Sequence, residues 1–235
     1  MYLRKVPFTY AFARPALAVD CVVFGYRSEQ LVVLLIERGE PPFEGKWALP
    51  GGFVRIDETL DRAAERELVE EAGLKLRYLE QLYTFGSLER DPRDRVVTVA
   101  YFALVNTLEH EPRASTDARR AAWFDVREKP ALAFDHDSIV LRGLERLRSK
   151  VRYRPIGFGL LDEIFTLSEL QRLYEVILGR PLDKRNFRKK ILKLGFIVPT
   201  DQKERGVARR AARFFKFDSA RYDALSEHGF DLELL

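Results

Sequence analysis

A chain of 235 residues with 46% apolar and 32% charged side chains is long enough for two ordinary domains and has the composition of a protein that buries cores, which argues against disorder. Cys21 is the only cysteine, excluding an intrachain disulfide, and no run approaches the roughly 18 apolar residues of a membrane span. The formal net charge of +4 is unevenly spread: residues 180–216 carry thirteen Lys or Arg against Asp183, Asp201 and Glu204, so the rest of the chain is net acidic. With no secretory apolar core at the start, the expected location is the cytoplasm.

In chain order, apolar and β-branched runs at residues 17–24, 31–36 and 96–103 predict strands, set around one charged helix over residues 59–72. Cys21 falls inside the first run and reads as core packing. Residues 121–126 read as a last strand. Residues 137–150 place Ile139, Val140, Leu144 and Leu147 at helical spacing and close the first unit. Past Arg154-Pro155 the strand signal fades. Residues 165–179 form an amphipathic helix in which Thr166 and Glu169 have capping-box spacing and Gly179 is the stop. Asp183 is the expected N-cap of a second helix over 184–194, ended by Gly195, and residues 196–199 and 213–217 read as a hairpin around a polar turn containing Gly206. The predicted division is residues 1–153 and 154–235, and the fold class is α+β.

On the predicted helix 59–72, Glu67, Glu70 and Glu71 stand at i, i+3 and i+4, so three carboxylates leave one face within a turn. Such like charges repel, by up to about 0.5 kcal/mol per pair, and a hard divalent cation, Mg²⁺ or Mn²⁺, reverses that cost. Gly51 and Gly52 follow a strand and turn that bring a bare backbone carbonyl, that of Gly52, beside the carboxylates. Arg66 is placed to pair with Glu58 and hold the loop between them. A solvated acidic face is the alternative for any arbitrary Glu pair. Residues 52–74 resemble the Nudix box, G-x5-E-x7-R-E-U-x-E-E-x-G-U with U aliphatic, without a departure. The resemblance implies an α/β/α sandwich, metal ligands at Glu67, Glu70 and Glu71, and hydrolysis of a nucleoside diphosphate linked to another moiety, with Arg66 and Glu58 completing the catalytic set.

Residues 89–101 are similar to the loop and strand of the ADP-ribose pyrophosphatase branch of that family, including Pro92. Arg90, Arg93 and Arg95 are candidates to hold phosphate or ribose oxygens with guanidinium forks, and Arg38 joins them as a ligand-binding candidate. A solvated turn is the alternative. His136 reads as structural, and Glu109, Glu111 and Asp117 are weak candidates for a catalytic base.

The order of helix, tight turn, helix and hairpin in residues 165–217 is that of a helix-turn-helix with a wing. Its second helix carries Lys184, Arg185, Asn186, Arg188 and Lys189 opposite a stripe of Leu182, Phe187, Ile191 and Leu194. Such side chains supply phosphate affinity, and Arg185, Asn186 or Arg188 are placed to read base edges. Lys203, Arg205, Arg209, Arg210 and Arg213 are the wing's candidates. A basic protein interface is the alternative. Residues 165–190 also resemble the C-terminal domain of Nudix-related transcriptional regulators, a likeness spanning nearly the whole chain. It implies a winged helix, a homodimer on palindromic double-stranded operator DNA, and ADP-ribose or a related nucleotide as effector. Members of that family often lose the catalytic residues that are intact here. Three functions stay open: an ADP-ribose-sensing regulator with or without slow hydrolysis, an ADP-ribose pyrophosphatase proper, and a sugar-responsive regulator.

Overall fold

The computed structural model describes residues 10–74, 76, 79–108, 111–112, 118–204 and 211–227. The strand β1 (Ala16–Arg27) is buried over most of its length because both its faces are covered. It hairpins into β2 (Gln30–Arg38), and two short strands, β3 (Trp47–Ala48) and β4 (Gly51–Phe53), flank Pro50. Helix α1 (Leu60–Ala72) follows, then β5 (Leu79–Phe85), β6 (Val96–Asn106), β7 (Ala118–Asp125) and α2 (His136–Lys150). The sheet runs β3-β2-β1-β6-β5, with β4 paired to β1 and β7 to β2; β1 and β6 are parallel over their full register.

Alternation along β1 decides what each face carries. Val19, Cys21 and Val23 pack with Ala63, Ala64 and Leu68 of α1, while Val22 and Phe24 pack with Ile139, Val140 and Leu147 of α2. The sheet therefore lies between two helices. Thr59 caps α1, its hydroxyl accepting from the Arg62 amide at 3.3 Å, and Gly73 ends the helix at φ 68°.

Beyond a 3-10 turn over Ile156–Leu160 comes a second unit: β8 (Ile164–Thr166), α3 (Leu167–Leu178), α4 (Lys184–Lys193), β9 (Ile197–Lys203), β10 (Arg213–Phe217) and α5 (Ser219–Glu227), with sheet order β8-β10-β9. The capping box forms in both directions: Thr166 Oγ1 accepts from the Glu169 amide at 3.2 Å, and Glu169 Oε2 accepts from the Thr166 amide at 2.7 Å. Gly179, at φ 70°, turns the chain toward α4, whose first turn is capped by Asp183.

The two units share one core. A single apolar cluster passes from Val22 and Phe24 through Leu147, Val151 and Phe158 to Leu173, Tyr174, Phe187 and Phe196. Polar ties cross the same seam: Arg148 Nε donates to the Ile177 carbonyl at 3.0 Å, Asn106 Nδ2 to Asp162 Oδ1 at 2.9 Å, and Arg172 pairs with Glu29 at 3.2 Å.

Several elements lie outside the sequence expectations. Strands β5 and β8 and helix α5 carried no usable signal: β5 is largely exposed, β8 has three residues, and α5 lacks a helical apolar stripe. The last strand of the first sheet begins at Ala118 instead of residue 121, because its register with β2 extends to Arg38 through a bulge. No helix among the described residues is long and apolar enough to cross a membrane.

Candidate functional site

Arg66 is the centre of the carboxylate cluster. Its Nε and Nη2 bond both oxygens of Glu58, at 2.9 and 2.6 Å, while Nη1 reaches Glu67 at 2.5 Å and Glu70 at 3.0 Å. Nη2 also donates to the Phe53 carbonyl at 3.1 Å, tying α1 to β4. The bidentate bond from Arg66, with the Arg55 amide, holds the Glu58 carboxyl down to about 2. Glu70 is also met by Arg55 at 3.4 Å. Glu71 accepts from the Gly51 amide at 2.8 Å, yet burial, with the charges of Glu67 and Asp20 adding to it, pushes its carboxyl up to about 8. Glu67 is raised as well, again chiefly by burial.

Buried carboxylates with raised pKa values, facing one another, form a donor set short of positive charge, and the all-oxygen chemistry fits a hard divalent cation. Among the described residues no three ligating side chains already converge on a point, because Glu67 and Glu70 are turned onto Arg66. The absence of a Cβ at Gly52 is what admits Glu67: one added there would stand 2.3 Å from Glu67 Oε1. At Gly51 the obstacle is backbone, since a Cβ would stand 2.3 Å from the Val19 carbonyl in the β1–β4 pairing. Gly51→Ala is therefore expected to lower stability by about 1–3 kcal/mol, an overpacking cost read as a drop in the denaturation midpoint.

Beside the glycines lies a polar network that sequence reasoning only touched. Arg90 is buried, its Nη2 bonding Asp20 at 3.0 Å and Asp135 at 2.8 Å. The Leu49 amide donates to His136 Nδ1 at 2.9 Å, which puts the imidazole proton on Nε2, 3.3 Å from Asp20 Oδ1. Burial alone would raise the Asp20 carboxyl, but the proximity and hydrogen bond of His136 and the charge of Arg90 outweigh it and hold it at about 2. The available signal was Asp20 itself, a charge inside an apolar strand, since buried charges require partners.

Of the four arginines expected at a ligand, Arg38, Arg90 and Arg93 line one cavity and Arg95 does not. Arg38 and Arg93 come together over the Phe134 ring, at 4.9 and 5.7 Å from its centroid, and Arg93 also lies 5.4 Å from that of Phe53. Arg93 is paired with Asp91 at 2.7 Å. Arg90 reaches that cavity from its buried pair with Asp20 and Asp135, whereas Arg95 donates to the Gly86, Ser87 and Val96 carbonyls and supports the loop that carries exposed Pro92. Arg38, Arg93, Phe53, Phe134, Gly51, Gly52 and Glu71 line one cavity of about 50 Å³.

In the second unit, Lys184, Arg185, Asn186 and Lys189 are exposed along α4. Arg188 is half-buried and donates to Ser168 Oγ at 3.1 Å, bracing α4 against the start of α3 instead of facing outward. Lys203 ends β9; Arg205, Arg209 and Arg210, and the proposed bases Glu109 and Asp117, lie outside the described residues. Glu111 is paired with Arg27 at 3.2 Å.

Comparison with known proteins places both units. Residues 14–142 match the family model for the NUDIX domain, and residues 157–217 that for the NrtR DNA-binding winged helix domain. A curated protein of Acinetobacter baylyi, named ADPR responsive transcriptional repressor NtrR, is 37% identical over 216 residues, covering 90% of this chain and 86% of that one. The chain belongs to the NrtR family. Shewanella oneidensis NrtR, solved as a complex with a 27mer DNA, superposes with a TM-score of 0.75 at 34% identity, over 88% of this chain and 95% of that one. The Nudix domain of the same NrtR, solved with ADP ribose, matches with a TM-score of 0.55 at 36% identity, over 62% of this chain and 94% of that one. In this NrtR-family chain the fold is thus a mixed α+β Nudix unit followed by a winged helix. Nudix hydrolases as a class generally use divalent metal ions.

Proposed function

We propose that this chain is a cytoplasmic transcriptional repressor that binds operator DNA through its winged helix as a homodimer and takes ADP-ribose, or a closely related nucleotide, in its Nudix unit as effector. The observation that carries the reading is that one continuous apolar core joins the Nudix unit to the unit that bears an exposed basic helix, α4. The relative's name supplies the effector and the sign of regulation.

In this reading α4 enters the major groove with Lys184, Arg185, Asn186 and Lys189 outward, while Arg188 fixes its seat on α3. In the Nudix unit, Arg38 and Arg93 face the diphosphate and the rings of Phe53 and Phe134 offer flat apolar surface to a base or ribose. A cavity of about 50 Å³ is far below the ~300–1,000 Å³ usual for small-molecule sites, so a nucleotide enters as Arg38, Arg93 and Phe134 move outward.

The unbroken Nudix pattern favours a second, compatible activity: slow hydrolysis of the bound nucleotide. Glu67, Glu70, Glu71 and the Gly52 carbonyl would hold Mg²⁺ or Mn²⁺, which when bound neutralises diphosphate charge and acidifies a water. Arg66 and Glu58 keep the carboxylate helix in register with β4.

A mobility shift with promoter DNA from the gene's own neighbourhood, with and without ADP-ribose, beside a Mg²⁺-dependent hydrolysis assay, tests both activities. The expected result is a sequence-specific shift released by ADP-ribose. Absence of any specific shift, together with rapid turnover, would leave an ADP-ribose pyrophosphatase and sink the repressor reading. Glu70→Gln is expected to cut turnover at least about a hundredfold, the scale of removing a metal-ligand charge from a transition state, and to leave operator affinity unchanged. Unaltered turnover would refute the ligand assignment.

A further inference from the structure

Another cavity lies away from the carboxylate helix, in the seam between the two units. It measures about 450 Å³ and is bounded by the β1–β2 turn, the end of β7, the C-terminal half of α2, and α3 with the turn that follows it. Leu31, Leu144 and Val176 are among its apolar lining, and four arginines line it as well: Arg127, Arg148, Arg172 and Arg180.

Two of the four have structural work. Arg148 donates to the Ile177 carbonyl near the C-terminal end of α3, where free carbonyls and the helix dipole favour a cation, and Arg172 pairs with Glu29 across the seam. The acids at the cavity are also committed. Glu175 Oε1 accepts from Gln171 Nε2 and from the Leu182 amide, each at 3.0 Å, and Asp125 Oδ1 accepts from the Arg127 amide at 2.7 Å. The guanidinium groups of Arg127 and Arg180 have no hydrogen-bond or ion-pair partner among the described residues. One comes from the Nudix unit and the other from the winged helix, so like charges from two units border one cavity.

We infer that this seam is a second anion site, built for a phosphorylated small metabolite whose phosphate bridges Arg127 and Arg180 while its uncharged part lies on Leu31, Leu144 and Val176. Guanidinium forks match phosphate oxygens, and apolar side chains beside a few polar groups are the composition of a small-molecule site. The volume falls within the range such ligands occupy. A DNA backbone phosphate has the same chemistry, but the apolar side chains of Leu31, Leu144 and Val176 beside the guanidinium groups favour a free metabolite.

The test is calorimetric titration of the full chain with inorganic pyrophosphate in EDTA at constant ionic strength, comparing the native chain with Arg127→Gln/Arg180→Gln and with Glu70→Gln. Both arginines are exposed, so the double variant is expected to melt with the native chain. The expected result is a pyrophosphate site, beside any binding at Arg38 and Arg93, that is weakened about tenfold or more in Arg127→Gln/Arg180→Gln and unchanged in Glu70→Gln, since two charge-assisted contacts are lost only in the former. Arg127→Lys/Arg180→Lys, which keeps the charge without the fork, is expected to recover part of the affinity. No binding up to about 10 mM, or affinity indifferent to the double Gln variant, overturns the site. Operator binding separates the two sources of phosphate. A free-metabolite site leaves its salt dependence unchanged in Arg127→Gln/Arg180→Gln, whereas a slope lower by about two assigns both guanidinium groups to the DNA backbone and overturns the proposal.

Discussion

Arg185→Ala is expected to weaken operator binding by about 1–3 kcal/mol, roughly tenfold to a hundredfold, and to leave ADP-ribose affinity unchanged. Arg185 is exposed in the first half of α4, the half that faces base edges in a winged helix, and nothing in the fold depends on it. The loss is expected to be concentrated on one base position, because a guanidinium reads guanine through two directed bonds. Lys189→Ala, on the same exposed face, is expected to weaken all sequences alike and lower the salt slope by about one, the signature of a lost phosphate contact. Fluorescence anisotropy across a panel of operator variants and salt concentrations separates the two behaviours. Equal losses on operator and random DNA for Arg185→Ala would remove it from base reading.

The second large effect concerns stability. Arg90→Ala strands the Asp20 carboxylate beneath the Nudix pocket, with side chains only 4% and 9% exposed in the native pair. Removing one partner of a buried pair costs about 3–5 kcal/mol, a large part of a domain's margin. Urea denaturation checks it, and a loss under about 1 kcal/mol would show that the network is solvated in solution. The same network, His136 first and Arg90 after it, sets a pH dependence. Asp20 is held at about 2, below its ordinary 3.8, so its contribution is fully present above pH ~4 and is lost as the pH falls through about 2. Arg90→Ala is expected to flatten that part of the acid-stability profile only in part, since His136 still lowers the Asp20 carboxyl.

The carboxylate helix was legible because its chemistry is local: Gly52, Glu58, Arg66, Glu67, Glu70 and Glu71 meet within 20 positions of chain. The winged-helix order was legible for the same reason, through the Thr166 box, the Gly179 stop and the Asp183 cap. What stayed hidden is long-range. Asp20 meets Arg90 and His136 across 70 and more positions, and no periodicity announces such a meeting. Arginines show the limit most clearly. Spacing put Arg90, Arg93 and Arg95 in one group, but the loop folds Arg90 into a buried ion pair, Arg95 onto backbone carbonyls, and only Arg93 toward Arg38 and Phe134. Arg188 belongs to the basic helix by composition and to its seat on Ser168 by geometry. Charge in a sequence gives the sum; the fold decides which charges are already spent.

Nucleotide binding in one unit is expected to control DNA binding in the other, and linkage makes this measurable in a single thermodynamic cycle. Operator affinity of the Glu70→Gln chain, which holds nucleotide without consuming it, is measured by anisotropy at rising ADP-ribose. ADP-ribose affinity is then measured by calorimetry with and without operator. The account predicts that saturating ADP-ribose weakens operator binding by about 5- to 150-fold and that operator weakens ADP-ribose binding by the same factor, as reciprocal coupling requires. Operator affinity that stays constant while ADP-ribose saturates its site would contradict it.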